Sequence, residues 1–123
     1  MKLSRRDFES LATEVIDKLP EEVLSWLDNV DIVVEGWPSR EDLEPMGMKD
    51  RYDLLGLYLG VPLAEREGGY PTLPDKVLLF QGPIEAVGVT REGIRREIRT
   101  TILHELAHHL GIGEARLEEL GLD

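Results

Sequence analysis

The chain is expected to form an α+β fold, a small mixed or antiparallel sheet of about three strands with helices packed on it. Three observations predict this. Amphipathic helical periodicity opens and closes the chain. Three short apolar runs, bounded by proline, glycine and charged residues, lie between. The resulting order is helix, helix, strand, strand, strand, helix, helix, which lacks the strict alternation that builds a doubly wound parallel sheet. At 123 residues and 41% hydrophobic content, the chain makes one domain, 1–123, with a core of its own.

Ser4 can cap a first helix running to Leu19, with Asp7 at the acidic capping-box position. Phe8, Leu11, Ala12, Val15 and Leu19 share one of its faces. Pro20 interrupts and opens a short second helix, "PEEVLSWL", where proline in the first turn costs nothing. In "NVDIVVEGW", Val30, Ile32 and Val34 alternate with polar or exposed positions, a strand signal. Pro38 to Asp50 is charged and broken by Pro45 and Gly47, so it reads as a loop. "DLLGLYLGVPL" is apolar on both parities and reads as a buried strand ended by Pro62. "AEREGGYPTLP" is a further loop, and "DKVLLFQG" a third strand ending at Gly82 and Pro83. Thr90 can cap a helix from Arg91 to Leu110, about 30 Å long. Gly111 breaks it, and "EARLEEL" is a last short helix.

Composition removes several function classes. There is no cysteine, hence no disulfide, no thiolate catalysis and no thiolate zinc site. A net charge of -11 argues against nucleic acid as a partner. The arginines at Arg91, Arg95, Arg96 and Arg99 alternate with Glu92 and Glu97 and read as a solvated helix face. No apolar run is long enough to span a membrane, and the N-terminal residues lack a signal-peptide core. A cytoplasmic location is the expectation.

All three histidines, His104, His108 and His109, fall in the last long helix. His104 and His108 are one turn apart, so their side chains stack on one face. Ile98, Ile102, Leu103, Leu106, Ala107 and Leu110 form an apolar stripe on the other. Two imidazoles at this spacing can bind one Zn²⁺ at about 2.0–2.1 Å each. Glu105 points beside such a metal, within reach of a metal-bound water, and is the candidate general base. Imidazole and carboxylate also suit Fe, Ni, Cu and Mn. Gly111 can take the left-handed conformation that ends a helix, turning the chain so that Glu114 approaches as third ligand. Glu118 and Glu119 are its rivals. His109 points toward Ile98 and Ile102, which suits packing, or a hydrogen bond behind the ligands, better than ligation.

"HELAHHLGIGE" resembles the extended zincin motif H-E-x-x-H-x-x-G-x-x-H/D. More closely, "LLGLYLGVPLAER", "LPDKVLLFQGPI", "LHELAHHLGI" and "ARLEELG" are similar, in that order, to small bacterial zincin-like proteins described as possible zinc metallopeptidases. The similarity runs from Leu54 to Leu122. It implies a minimal zincin-like fold, a short sheet over an active-site helix. It also implies one zinc ion, held by His104, His108 and Glu114, and peptide-bond hydrolysis with Glu105 as base. In zincins an edge strand before that helix often binds extended substrate by strand addition. Val77, Leu78, Leu79, Phe80 and Gln81 are the candidates for such a strand. The alternative is a non-catalytic metal-binding domain that binds a peptide strand or protein partner. No tyrosine follows the motif to stabilise an oxyanion; Tyr52, Tyr58 and Tyr70 precede it. Met46 and Met48 also lie upstream and do not match a methionine turn.

Overall fold

The structure is a computed structural model that describes residues 1–61 and 73–122. Helix α1 (Arg5–Asp17) opens the chain. Ser4 caps it by accepting from the Asp7 backbone N–H at 3.0 Å. Phe8, Leu11, Ala12 and Val15 are buried, as the periodicity requires. A short α2 (Glu21–Trp26) follows Pro20, and strand β1 spans Val30–Glu35.

The segment expected to be a loop from Pro38 to Asp50 contains a helical turn, α3 (Arg40–Leu43). The reason is a capping box that the sequence reading passed over. Ser39 Oγ accepts from Asp42 N, and Asp42 Oδ2 accepts from Ser39 N. Two 3₁₀ turns follow, Glu44–Met46 and Arg51–Asp53.

Strand β2 is only Gly56–Leu59. It is not the buried strand expected, since Leu59 is 43% exposed. Pro62, its expected end, and most of the loop predicted after it, including Tyr70, lie outside the described residues. Strand β3 (Asp75–Phe80) runs straight into α4 (Gln81–Gly88), a helix that sequence reasoning missed. Pro83 signals a break, yet it stands in the first turn of α4, where a missing N–H removes no helical hydrogen bond. Helices α5 (Arg91–Leu110) and α6 (Glu114–Glu119) complete the chain.

The sheet is mixed, in the order β1-β3-β2. β1 runs parallel to β3, and β2 antiparallel to it. This corrects the expectation for the substrate strand. Val77, Leu78, Leu79 and Phe80 belong to the central strand, whose two edges are taken by β1 and β2, and Gln81 is already helical. No further strand can add there. Among the described residues β2 is the edge strand nearer the histidine helix.

Both faces of the sheet are covered. On one, α1 and α5 enclose a core that includes Phe8, Leu11, Val77, Leu79, Ile94, Ile98, Ile102 and Leu106. On the other, Leu43 and Leu54 pack on Leu78 and Phe80. This placement gives the first fifty residues their role, since α1 buries the back of α5 and α3 closes the far side of the sheet. Among the described residues no helix is long and apolar enough to cross a membrane.

Candidate functional site

Helix α5 has the bounds expected. Thr90 caps it by accepting from Gly93 N at 3.0 Å. Gly111 ends it at φ 71°, and Ile112 N donates back to Ala107 O at 2.8 Å, the closing bond of a Schellman turn. Thr101, Ile102, Leu103, Leu106 and Ala107 are buried, while His104 and His108 are exposed on the opposite side. Leu110, expected in the core, is 48% exposed. It lies in the last turn, where the core is continued by Ile112 and Leu117 beyond the Gly111 turn instead.

Glu105 sits half-buried between the two faces. Its Oε1 accepts from the backbone N–H of Tyr58 on β2 at 3.0 Å. In the β2–β3 register, Leu57 pairs with Leu78 and Phe80 N donates to Leu55 O. Leu55, Leu57 and Leu59 therefore turn their amides toward β3, and Tyr58 turns its amide outward to Glu105. Burial pushes the Glu105 carboxyl above its ordinary range. The Tyr58 amide, and then the charges of His108 and His104, oppose that shift.

β2 comes this close to α5 because position 56 is glycine. A Cβ there would lie 2.3 Å from Thr101 Cγ2 and 2.9 Å from Leu78 O, with Glu105 Cγ at 3.8 Å. A glycine inside a strand is the signal of close backbone approach. In "GLYLG" it was the one clue to a residue that sequence reasoning missed, Tyr58.

The Tyr58 ring stacks on His109, with centroids 3.8 Å apart and planes 13° from parallel. Its hydroxyl donates to Asp75 Oδ2 at 2.6 Å, and Asp75 Oδ1 accepts from Val61 N at 2.8 Å. His109 Nε2 is 4.0 Å from the same Asp75 carboxylate. His109 thus packs on β2 instead of beside Ile98 and Ile102. It stands about 10 Å along the helix axis from Ile102, two full turns away. Its packing role holds, with a different neighbour.

His104, Glu105, His108 and Glu114 line one open cleft of about 370 Å³, together with Ala107, Ile112, Gly113 and Leu117. A second cavity, about 450 Å³, lies over β2 and shares Glu105 and His108; Tyr58, Gly60 and His109 also line it. Glu105 and His108 therefore stand where two hollows meet. Glu114, the first residue of α6, reaches the first hollow. Glu118 and Glu119 line neither. Among the described residues no three His, Asp or Glu side chains are arranged to hold a metal ion. The imidazole pair and Glu114 border one space without closing a ligand shell around it.

The chain matches the family model of zincin-like metallopeptidases over residues 27–122. No curated protein matches it. Among solved structures it resembles a conserved hypothetical protein from Thermo thermophilus. The TM-score is 0.53 at 24% identity, over 88% of this chain and 94% of that one, a likeness of fold. With 96 of its 123 positions inside the family match, the chain belongs to the zincin-like metallopeptidase family.

Proposed function

We propose that this protein is a zinc-dependent peptidase that hydrolyses peptide bonds, with Glu105 as general base. The observation that carries the reading is the position of the Glu105 carboxylate. It lies beside two exposed imidazoles at i and i+4, yet is held by the Tyr58 amide instead of being turned toward a ligand position. A purely structural metal site needs no such group.

The donors present fit zinc. His104 and His108 supply two nitrogens, Glu114 borders the same cavity as an oxygen donor, and no thiolate competes. Zinc held by these three residues would polarise a carbonyl and lower the pKa of a water to about 7. Glu105 has one oxygen, Oε1, fixed by Tyr58. Oε2 carries no hydrogen bond among the described residues and is the atom to receive the proton of the attacking water. Partial burial suits Glu105 to this task, because a base with a raised pKa holds the proton long enough to pass it to the leaving amine. A peptide would run along the β2 side of the cleft, over Tyr58 and Gly60, with its scissile bond above Glu105 and His108. A cytoplasmic peptidase with peptide or protein substrates, and no nucleic-acid or membrane partner, is the corresponding role.

A second reading rests on β2, which lines the hollow beside Glu105 and His108 and has β3 on one side only among the described residues. In it the same residues bind metal without catalysis and present a surface to a peptide strand or protein partner. Incubating the zinc-loaded protein with a broad peptide library separates the two. Cleavage abolished by a chelator and restored by zinc supports the peptidase. Stoichiometric zinc with no product across the library supports the binding module.

A further inference from the structure

We propose that the hollow between the C-terminal end of α1 and the N-terminal half of α5 is a binding site for a compact phosphoryl anion, separate from the histidine cleft. The hollow has a volume of about 360 Å³. Among the described residues it is lined by Lys18, Arg95, Arg96 and Arg99, with Val15 as an apolar wall and Glu92 as the one acid. This size is within the range of small-molecule sites.

Charge pairing makes this more than a solvated face. In sequence, glutamates alternate with the arginines, but the helix sorts them. Glu97 does not line the hollow. Glu92 is engaged by Arg95 at 3.2 Å, and Arg95 also bonds Glu14 at 3.1 Å. Lys18, Arg96 and Arg99 make no ion pair among the described residues. The chain has 25 acidic residues against 14 basic ones, so carboxylates are abundant. Three cations without an ion pair among the described residues nonetheless converge on one concavity.

The geometry suits phosphate. Arg96 and Arg99 are three apart on α5 and so are neighbours on its surface. Guanidinium forks match phosphate oxygens in pairs, and Lys18 adds a point charge from the facing helix. The surroundings set the size of the ligand. Glu92 lines the hollow and Glu14 is bonded to Arg95 at its edge, so a long polyanion such as nucleic acid meets more repulsion than a single phosphoryl group does.

The test is titration calorimetry of the full chain with inorganic phosphate at low ionic strength, followed by phenyl phosphate. Saturable binding at one site per chain is expected. It should weaken at least tenfold in Arg96→Ala/Arg99→Ala and stay unchanged in Lys49→Ala, a cation elsewhere. Arg99→Lys keeps the charge but not the fork and should bind with intermediate strength. Comparing the two ligands distinguishes a free phosphate from a phosphate monoester, and tighter binding of either supports the site. No saturation up to about 10 mM phosphate would overturn the proposal. So would equal affinity in the double variant with its fold intact by circular dichroism, or a single-stranded oligonucleotide that binds more tightly than phosphate.

Discussion

Replacing Gly56 with alanine should unseat the strand that holds the general base. The new Cβ would stand 2.3 Å from Thr101 Cγ2 and 2.9 Å from Leu78 O. Comfortable carbon contacts begin near 3.5 Å, so β2 and α5 must separate by roughly 1 Å. Thr101 is buried on α5 and Leu78 O belongs to the central strand, so neither can swing aside. Overpacking of this kind costs about 1–3 kcal/mol. For a chain of this size that lowers Tm by roughly 4–12 °C. The same roughly 1 Å would lengthen the 3.0 Å bond from Tyr58 N to Glu105 Oε1 beyond hydrogen-bonding range. Thermal unfolding by circular dichroism measures the stability, and a cycle with Thr101→Ala isolates the clash. Removing Cγ2 should restore part of the loss, with a coupling of at least about 0.5 kcal/mol. The contact with Leu78 O would remain. A Gly56→Ala protein with unchanged Tm, or effects of the two substitutions that simply add, would refute the close approach of β2 to α5.

Two other substitutions probe the site. Glu114→Ala should lower zinc affinity measured against a competing chelator, whereas Glu118→Ala and Glu119→Ala should not, since neither lines the histidine cavity. The reverse pattern would move the third ligand along α6. Tyr58→Phe removes the hydroxyl bonded to Asp75 but leaves the ring on His109 and the amide on Glu105. It should cost about 0.5–1.5 kcal/mol in denaturant unfolding. Tyr58→Ala should cost more, because the stack is lost as well, and equal losses would deny the stack any weight.

The elements that could be read in the sequence are those whose signals are local. α5 carries its periodicity over 20 residues and a cap residue at each end, Thr90 and Gly111, so its bounds and the separation of His104 and His108 from the core were legible. α4 was not, because Pro83 looks the same in a first turn as in a break. The substrate strand was misplaced for a different reason. "VLLF" is apolar on both parities because β3 is central, covered on both faces and both edges, and strand order is not written in one strand. Tyr58 and Asp75 reach the site from 47 and 30 residues upstream of Glu105. No spacing rule connects them to the motif, and only the glycine at position 56 marks the approach. Leu110 fits the helical stripe by angle, but past Gly111 it is Ile112 and Leu117 that join the core, which a helical wheel does not show.

The proposed roles of Glu105 as base and of His104, His108 and Glu114 as metal ligands can be separated. Zinc content and peptide hydrolysis, measured together on Glu105→Gln and His108→Ala, distinguish them. Glu105→Gln keeps the size of the side chain and an oxygen for the Tyr58 amide, so the account predicts full zinc content with hydrolysis reduced about 10²–10⁴-fold. His108→Ala should lose zinc and activity together. A Glu105→Gln protein that loses its zinc, or one that binds zinc and cuts peptides at the wild-type rate, would contradict the assignment of Glu105 as the base.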